Sequence, residues 1–248
     1  MDGSEVIRVL KGRRDNGPAA IIVRHAARYP ITDIRTSLTV GLTEDGKRDA
    51  RNFGSRLPSF KTIRIFHSPA VRCHETAEMI AEGAGGNGAR LEMFEMSPSL
   101  CAPYLRDESC LTESARRGGE FIRAWFNGEF DESMILRTAH AADLVLEHII
   151  ARLGDGNGNG RLDIHVSHDW ETMLLREELL GLKYETVGWM QYLDGLVFSR
   201  GAPDFQAIYR HHAASFKFLG GRRVLEVPAA AAPLGTLASH PRPFVGKD

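Results

Sequence analysis

Ile21-Ile22-Val23-Arg24-His25-Ala26-Ala27-Arg28-Tyr29-Pro30 sets an apolar run directly against two arginines that bracket a histidine. Continuous apolar residues without alternation are what a strand buried on both faces of a parallel sheet requires. A strand over residues 19–24 that ends so abruptly delivers His25 and two fixed cations to the mouth of the sheet. The plainer alternative is a charged surface loop, and the remaining sequence weighs between the two.

Working outward, residues 43–57 read as an amphipathic helix with Ala50, Phe53 and Leu57 on one face and Thr43 as N-cap. Residues 62–67 read as a second strand, followed by Ser68 as N-cap, Pro69 at the first helical position and a helix to about residue 82. A third short strand is expected at 90–95. Residues 97–134 form a long, aromatic, irregular stretch that makes the natural lid. Residues 137–153 carry Ala141, Leu144, Leu146, Ile149 and Ile150 at helical spacing. Residues 162–166 then read as a fourth strand and 170–180 as a helix stopped by Gly181. Residues 195–200 and 205–211 suggest a late hairpin across Gly201 to Asp204.

Strand and helix patterns that alternate imply parallel strands joined by right-handed crossovers, with helices on both faces. The expected fold is therefore an α/β, three-layer α/β/α sandwich with a mostly parallel central sheet and an inserted lid at 97–134. One domain over residues 1–227 accounts for the length, and the Pro- and Ala-rich residues 228–248 read as an extended tail.

The 248 residues are 43% hydrophobic and 25% charged, with a net charge of −1, which argues against disorder and against a nucleic-acid or anionic-membrane partner. The apolar runs fall short of the roughly 20 residues of a membrane span, and the first 20 residues carry Asp2, Glu5, Arg8, Lys11, Arg13, Arg14 and Asp15 instead of a signal core. A cytoplasmic location is expected. Cys73, Cys101 and Cys110 are odd in number, match no metal spacing and read as reduced thiols.

Parallel strands gather their carboxyl ends at one edge, so residues just after different strands become neighbours. Arg24 and His25 follow the first strand, Arg72 lies one turn into the helix after the second, and His168 and Asp169 follow the fourth. Guanidinium forks donate paired hydrogen bonds to phosphate oxygens at any working pH, and a ring of them suits the charge that phosphoryl transfer spreads. A histidine flanked by arginines is biased against protonation and keeps its lone pair. Leu42-Thr43-Glu44-Asp45-Gly46 was expected to open onto the same site.

Arg24-His25-x-x-Arg28-x-Pro30, Leu42-Thr43-x-x-Gly46, Ser68-Pro69-x-x-Arg72-x-x-x-Thr76-Ala77 and Ser167-His168-Asp169, in that order, resemble the histidine phosphatase superfamily, which includes phosphoglycerate mutases and histidine acid phosphatases. Arg28, Pro30 and the His-Asp pair look closest to the acid phosphatase branch. The resemblance spans roughly residues 19–181 and implies a metal-independent phosphomonoesterase (a phosphoric monoester hydrolase) without cofactor. By it His25 would form a phosphohistidine that water hydrolyses. Arg24, Arg28, Arg72 and His168 would hold the phosphoryl oxygens, and Asp169 would protonate the leaving alcohol. If the other branch's glutamate serves instead, Glu92, Glu95 and Glu108 are the candidates. The implied substrate is a small organic phosphate ester or a phosphopeptide. A phosphotransferase or mutase, and a phospho-ligand binder without turnover, stay open, as does the oligomeric state.

Two features depart from the pattern or compete with it. Ala26 stands where the superfamily usually has glycine, which would strain the chain by about 1 kcal/mol if that position required positive φ. Asp155, Asn157, Asn159, Gly160 and Asp163 mimic part of a calcium loop, but Val166 stands at its twelfth place, so a polar glycine turn is the better reading. His165, His211 and His212 lack partner ligands and read as structural. Asp169 is equally suited to cap a helix, and Phe121, Trp125 and Phe126 to fill a core. Arg106, Arg116 and Arg117 could read further acidic groups on a substrate and are not assigned to the site.

Overall fold

The structure is a computed structural model that describes residues 3–15, 17–154, 160–201 and 204–225. In chain order the elements are α1 (Ser4–Gly12), β1 (Ala19–Arg24), a 3-10 helix (Ile34–Thr39), α2 (Glu44–Arg56), β2 (Thr62–His67), α3 (Val71–Gly85) and β3 (Arg90–Met96). A 3-10 turn (Pro98–Leu100) follows, then α4 (Ser109–Arg117), α5 (Gly119–Phe126), α6 (Thr138–Leu153), β4 (Arg161–Ser167), α7 (Asp169–Leu180) and α8 (Tyr184–Val187). The described chain closes with β5 (Gly195–Arg200), β6 (Phe205–Tyr209), β7 (His212–Leu219) and β8 (Arg222–Leu225).

All eight strands form one sheet in the order β3-β2-β4-β1-β5-β6-β7-β8. The expectation of a mostly parallel sheet is corrected. The β3-β2, β2-β4 and β4-β1 pairs are parallel, whereas β1-β5, β5-β6, β6-β7 and β7-β8 are antiparallel. Connection length accounts for β5 to β8, which are joined by tight turns, and a turn of a few residues permits only an antiparallel return; β5 itself is reached from β4 through α7 and α8 and lies antiparallel to β1, a direction connection length does not set. Those turns use left-handed backbone at Arg210 (φ 57), Gly220 (φ 55) and Gly221 (φ 76). The anticipated hairpin across Gly201 is present, but β7 and β8 extend it beyond what the hydrophobic pattern announced.

Helices cover both faces of the parallel half. Ala19, Ile21 and Val23 point into one core with Val6 and Leu10 of α1, Phe53 of α2 and Ile80 of α3. Ala20 and Ile22 point into the other with Trp125 of α5, Ile149 of α6 and Leu174 of α7. This is the alternation a strand buried on both sides must show. Helices α2 and α3 cross closely at Gly54, where an added Cβ would sit 2.2 Å from the Ile80 carbonyl oxygen.

The stretch expected to be irregular is instead helical through α4 and α5, and it supplies core. Phe121 and Trp125 are fully buried, with the Tyr104 ring tilted against Trp125 at 4.6 Å between centroids, and Phe126 packs against the same cluster. On α6, Leu144 turns outward, 37% exposed, while Val145 takes an inner position. No helix among the described residues is long and apolar enough to cross a membrane. The tail from Pro228, and Asp155, Asn157 and Asn159 of the calcium-like segment, lie outside the described residues.

Candidate active site

Hydrogen bonds that run past the strand ends set the site. His25 N–H donates to the Ser167 carbonyl at 2.9 Å and Ser68 N–H to the Val166 carbonyl at 3.0 Å, continuing the β1-β4 and β2-β4 ladders by one residue each. His25, Ser68 and His168 are thereby forced together at the carboxyl edge.

Arg72, the second residue of α3, bridges the two imidazoles. Its Nε donates to His25 Nε2 at 3.1 Å and a terminal nitrogen donates to His168 Nδ1 at 3.0 Å. Its other terminal nitrogen is held by the Ser37 carbonyl. His25 Nδ1 lies 2.7 Å from the Ala26 carbonyl oxygen, which can only accept, so Nδ1 carries the proton and Nε2 presents a lone pair. The same logic fixes His168: Nδ1 accepts from Arg72, hence Nε2–H donates to Ser68 Oγ at 2.8 Å. Ser68 was expected to cap α3, but Ala70 occupies the cap and the Ser68 hydroxyl serves His168 instead.

Burial, then the neighbouring His168 and Arg72, holds His25 well below the usual imidazole range. Burial and the three arginines 72, 24 and 28 push His168 down to about 3. Both rings are therefore neutral at working pH.

Arg24 spans the opposite side. It pairs with Asp169 Oδ2 at 3.0 Å, donates to the Met190 carbonyl at 2.6 Å and lies over the Tyr192 ring, 4.3 Å from its centroid. Asp169 does not cap a helix: it is the first residue of α7, and its Oδ2 also accepts from Trp189 Nε1 at 2.9 Å. Arg28 lines the same cavity and donates to the Tyr29 carbonyl at 2.8 Å. Arg24, His25, Arg28, Arg72, His168 and Asp169 thus share one cavity of about 780 Å³. Of the alternative acids, Glu108 lines it, while Glu92 and Glu95 stand on the exposed strand β3 away from it.

The Leu42-to-Gly46 segment is not part of the cavity lining, contrary to expectation. It braces the loop after His25. Thr43 N–H donates to the Ala27 carbonyl at 3.0 Å while its Oγ1 caps α2 by accepting from Gly46 N–H at 3.0 Å. A Cβ on Gly46 would come within 2.0 Å of that carbonyl oxygen, so only glycine lets α2 approach. Ala26 carries no strain: it is absent from the positive-φ residues, fully buried, and its N–H donates to Thr76 Oγ1 at 3.0 Å.

Several contributors had no signal in the sequence. Trp189, Met190 and Tyr192 come from the loop before β5, which a buried polar network anchors: Arg176 of α7 donates to Tyr209 Oη at 3.3 Å, and Tyr209 in turn donates to Asp194 at 3.1 Å. Glu171, on the inner face of α7, accepts from Ala102 N–H at 2.6 Å and from Tyr104 Oη at 3.2 Å. Burial pushes its carboxyl up to about 7. The spacing Asp169-x-Glu171 was visible, but neither side chain's partners are near in sequence. His165 is buried on β4 against His148, and His211 stacks on His212 at 4.1 Å. Among the described residues no group of three or more His, Cys, Asp or Glu could hold a metal ion, and Cys73, Cys101 and Cys110 are free thiols.

Residues 20–97 match the family model of the histidine phosphatase superfamily, branch 1, which bears out the superfamily resemblance read from the motifs. The closer likeness to the acid phosphatase branch, drawn from Arg28, Pro30 and Asp169, is not what that match reports. No protein of curated function matches the chain by sequence. Among solved structures, mycobacterial glucosyl-3-phosphoglycerate phosphatase in complex with inorganic phosphate is similar in fold at a TM-score of 0.52, with 17% identity over 88% of this chain and 99% of that one. An open reading frame product of Mycobacterium tuberculosis gives a TM-score of 0.50, with 16% identity over 80% of this chain and 97% of that one. At such identities the likeness is one of fold.

Proposed function

We propose that this chain, with the histidine phosphatase signature over residues 20–97, is a metal-independent phosphomonoesterase that works through a phosphohistidine on His25. One observation carries the reading: a neutral imidazole, its Nδ1–H fixed on the Ala26 carbonyl, turns its Nε2 lone pair into a cluster of guanidinium groups. A lone pair aimed at fixed cations suits attack on an anionic electrophile, because the cations hold the electrophile without protonating the nucleophile.

In this reading the phosphoryl oxygens take over donors of Arg72 that now serve His25 and His168, and Arg24 and Arg28 close the ring. His25 Nε2 forms a bond to phosphorus as the ester P–O bond breaks, and the alkoxide leaves with a proton from Asp169. Water then attacks phosphorus in line with the P–N bond, returning the electron pair to Nε2 and a proton to Asp169. Arg24 and Trp189 hold Asp169 Oδ2 in place for that exchange.

The test is hydrolysis of p-nitrophenyl phosphate with chelator present, beside His25→Ala, together with trapping of labelled protein by an alkaline detergent quench. The expected result is chelator-insensitive turnover and an acid-labile phosphoryl label, both lost in the variant. A chelator-sensitive rate, or turnover that survives loss of His25, would overturn the reading.

A further inference from the structure

The phosphate cluster occupies one end of the cavity, and about 780 Å³ is far more than a phosphoryl group needs. The rest is walled by Ile34 and Leu38 of the first 3-10 helix, Leu105, Leu111 of α4 and Trp170 of α7. Ile34 and Leu38 are 37% and 47% exposed, and no residue of their 3-10 helix is buried, so these side chains serve no core. Large aliphatic groups left open to water on the wall of a cavity, facing others across it, offer burial to an apolar occupant.

Charge on this wall points the same way. Arg35 is its one cation beyond the phosphate cluster among the described lining residues, and its fork is engaged by the Asp33 carboxylate at 2.7 Å. Glu108 adds an acid nearby. A second carboxylate or phosphate on the leaving group would meet Glu108 and an already paired arginine. The hydroxyls of Ser109 and Thr112 accommodate an occasional polar substituent.

Resting on the phosphatase reading of the same site, we propose that the alcohol released is bulky, uncharged and largely apolar: an alkyl or aryl phosphate is the substrate class, not a phosphorylated sugar acid. The experiment compares butyl, hexyl and octyl phosphate with 3-phosphoglycerate as substrates. The matching alkylphosphonates, which cannot be hydrolysed, are measured as ligands by calorimetry. Affinity for the phosphonates, and kcat/KM for the esters, is expected to rise about fourfold per methylene. The double variant Leu38→Ser, Leu111→Ser is expected to flatten that rise. Turnover of all esters at similar kcat/KM, a preference for 3-phosphoglycerate, or phosphonate binding that ignores chain length overturns the proposal and leaves the phosphatase reading standing. Steep chain-length dependence of phosphonate binding without hydrolysis of any ester overturns the hydrolytic reading and the released alcohol with it, and leaves the apolar wall as a binding subsite only.

Discussion

The floor and the rim of the cavity are built on opposite principles. The floor consists of residues at or just past strand ends, where the side chains hold one another: Arg72 by two imidazoles and a carbonyl, His168 by Ser68, Arg24 by Asp169 and Met190. The rim consists of connections, a 3-10 helix with no buried residue and the segment from Cys101 into α4, whose cavity-lining side chains are partly open to water while Tyr104 and Cys110 turn into the core. Fixed dipoles stabilise a transition state without reorganising, which a floor of strand ends provides. Connections tolerate change and shape selectivity. The comparison teaches that losses at the floor are expected on every substrate and losses at the rim only on some.

The largest effect is expected for His25→Ala, which removes the proposed nucleophile. A drop of about 10⁴-fold or more in kcat on all phosphoesters is expected in steady-state assays, by analogy with loss of a covalent nucleophile elsewhere. If the loss depended on the leaving group, the floor would not be acting on the phosphoryl group. Arg72→Ala comes next, with about 10²- to 10³-fold in kcat, since one preorganised donor typically contributes roughly 3–4 kcal/mol. Arg28, half-buried and bonded to its neighbour's carbonyl, should cost less than Arg72 on the same assay, and an equal cost would erase the distinction between buried and peripheral donors.

Asp169→Asn separates chemistry from leaving group. Alkyl phosphates, whose alkoxides need a proton, should slow by about 10²-fold or more, and p-nitrophenyl phosphate by only a few-fold. Equal losses would remove Asp169 as the acid and leave Glu108 and Glu171, the other carboxyls among the described lining residues.

Glu171 joins the two regions, because it sits on the floor's helix and holds Ala102 and Tyr104 of the rim segment. Ala102 is among the few described non-glycine residues at positive φ, 45°, a conformation its bond to Glu171 helps retain. The Glu171 carboxyl, ordinarily near 4.5, is pushed up to about 7 by burial. Between those values the folded chain keeps a proton that the unfolded chain has released. Its stabilising contribution is therefore complete below pH 4.5 and lost as pH rises through 7, to a total of about 3 kcal/mol. Thermal melts of the native protein should thus fall by on the order of 8 °C between pH 4.5 and 7.5 relative to Glu171→Gln, which cannot titrate. Parallel melting curves would show that the clamp is not the titrating group.

The strands of the parallel half, helices α2, α3, α6 and α7, and the residues of the floor were legible in the sequence, because each depends on a local pattern: an apolar run, a helical period, a charged residue just after a strand. Arg24, His25, Arg28, Arg72, His168 and Asp169 could be named together since parallel strands leave one edge at which they can meet. The rim was not legible. α4 and α5 carry mixed polar and aromatic residues whose burial depends on α6 and α7, and Tyr104, Phe121 and Trp125 belong to the core only once those helices are in place. Nor could β7 and β8 be told from loop, because strands half open to water at and next to the sheet edge show no continuous apolar run.

Sequence alone determined which groups stand at the carboxyl ends of the strands, since hydrophobic periodicity and order along the chain set that. Tertiary structure alone decided what each group faces. The tautomer of His168, the pairing of Arg24 with Asp169 and the clamp of Glu171 on Ala102 all join residues remote in sequence. Hydrogen bonds act over about 3 Å, and nothing in local spacing encodes a distance that only packing closes.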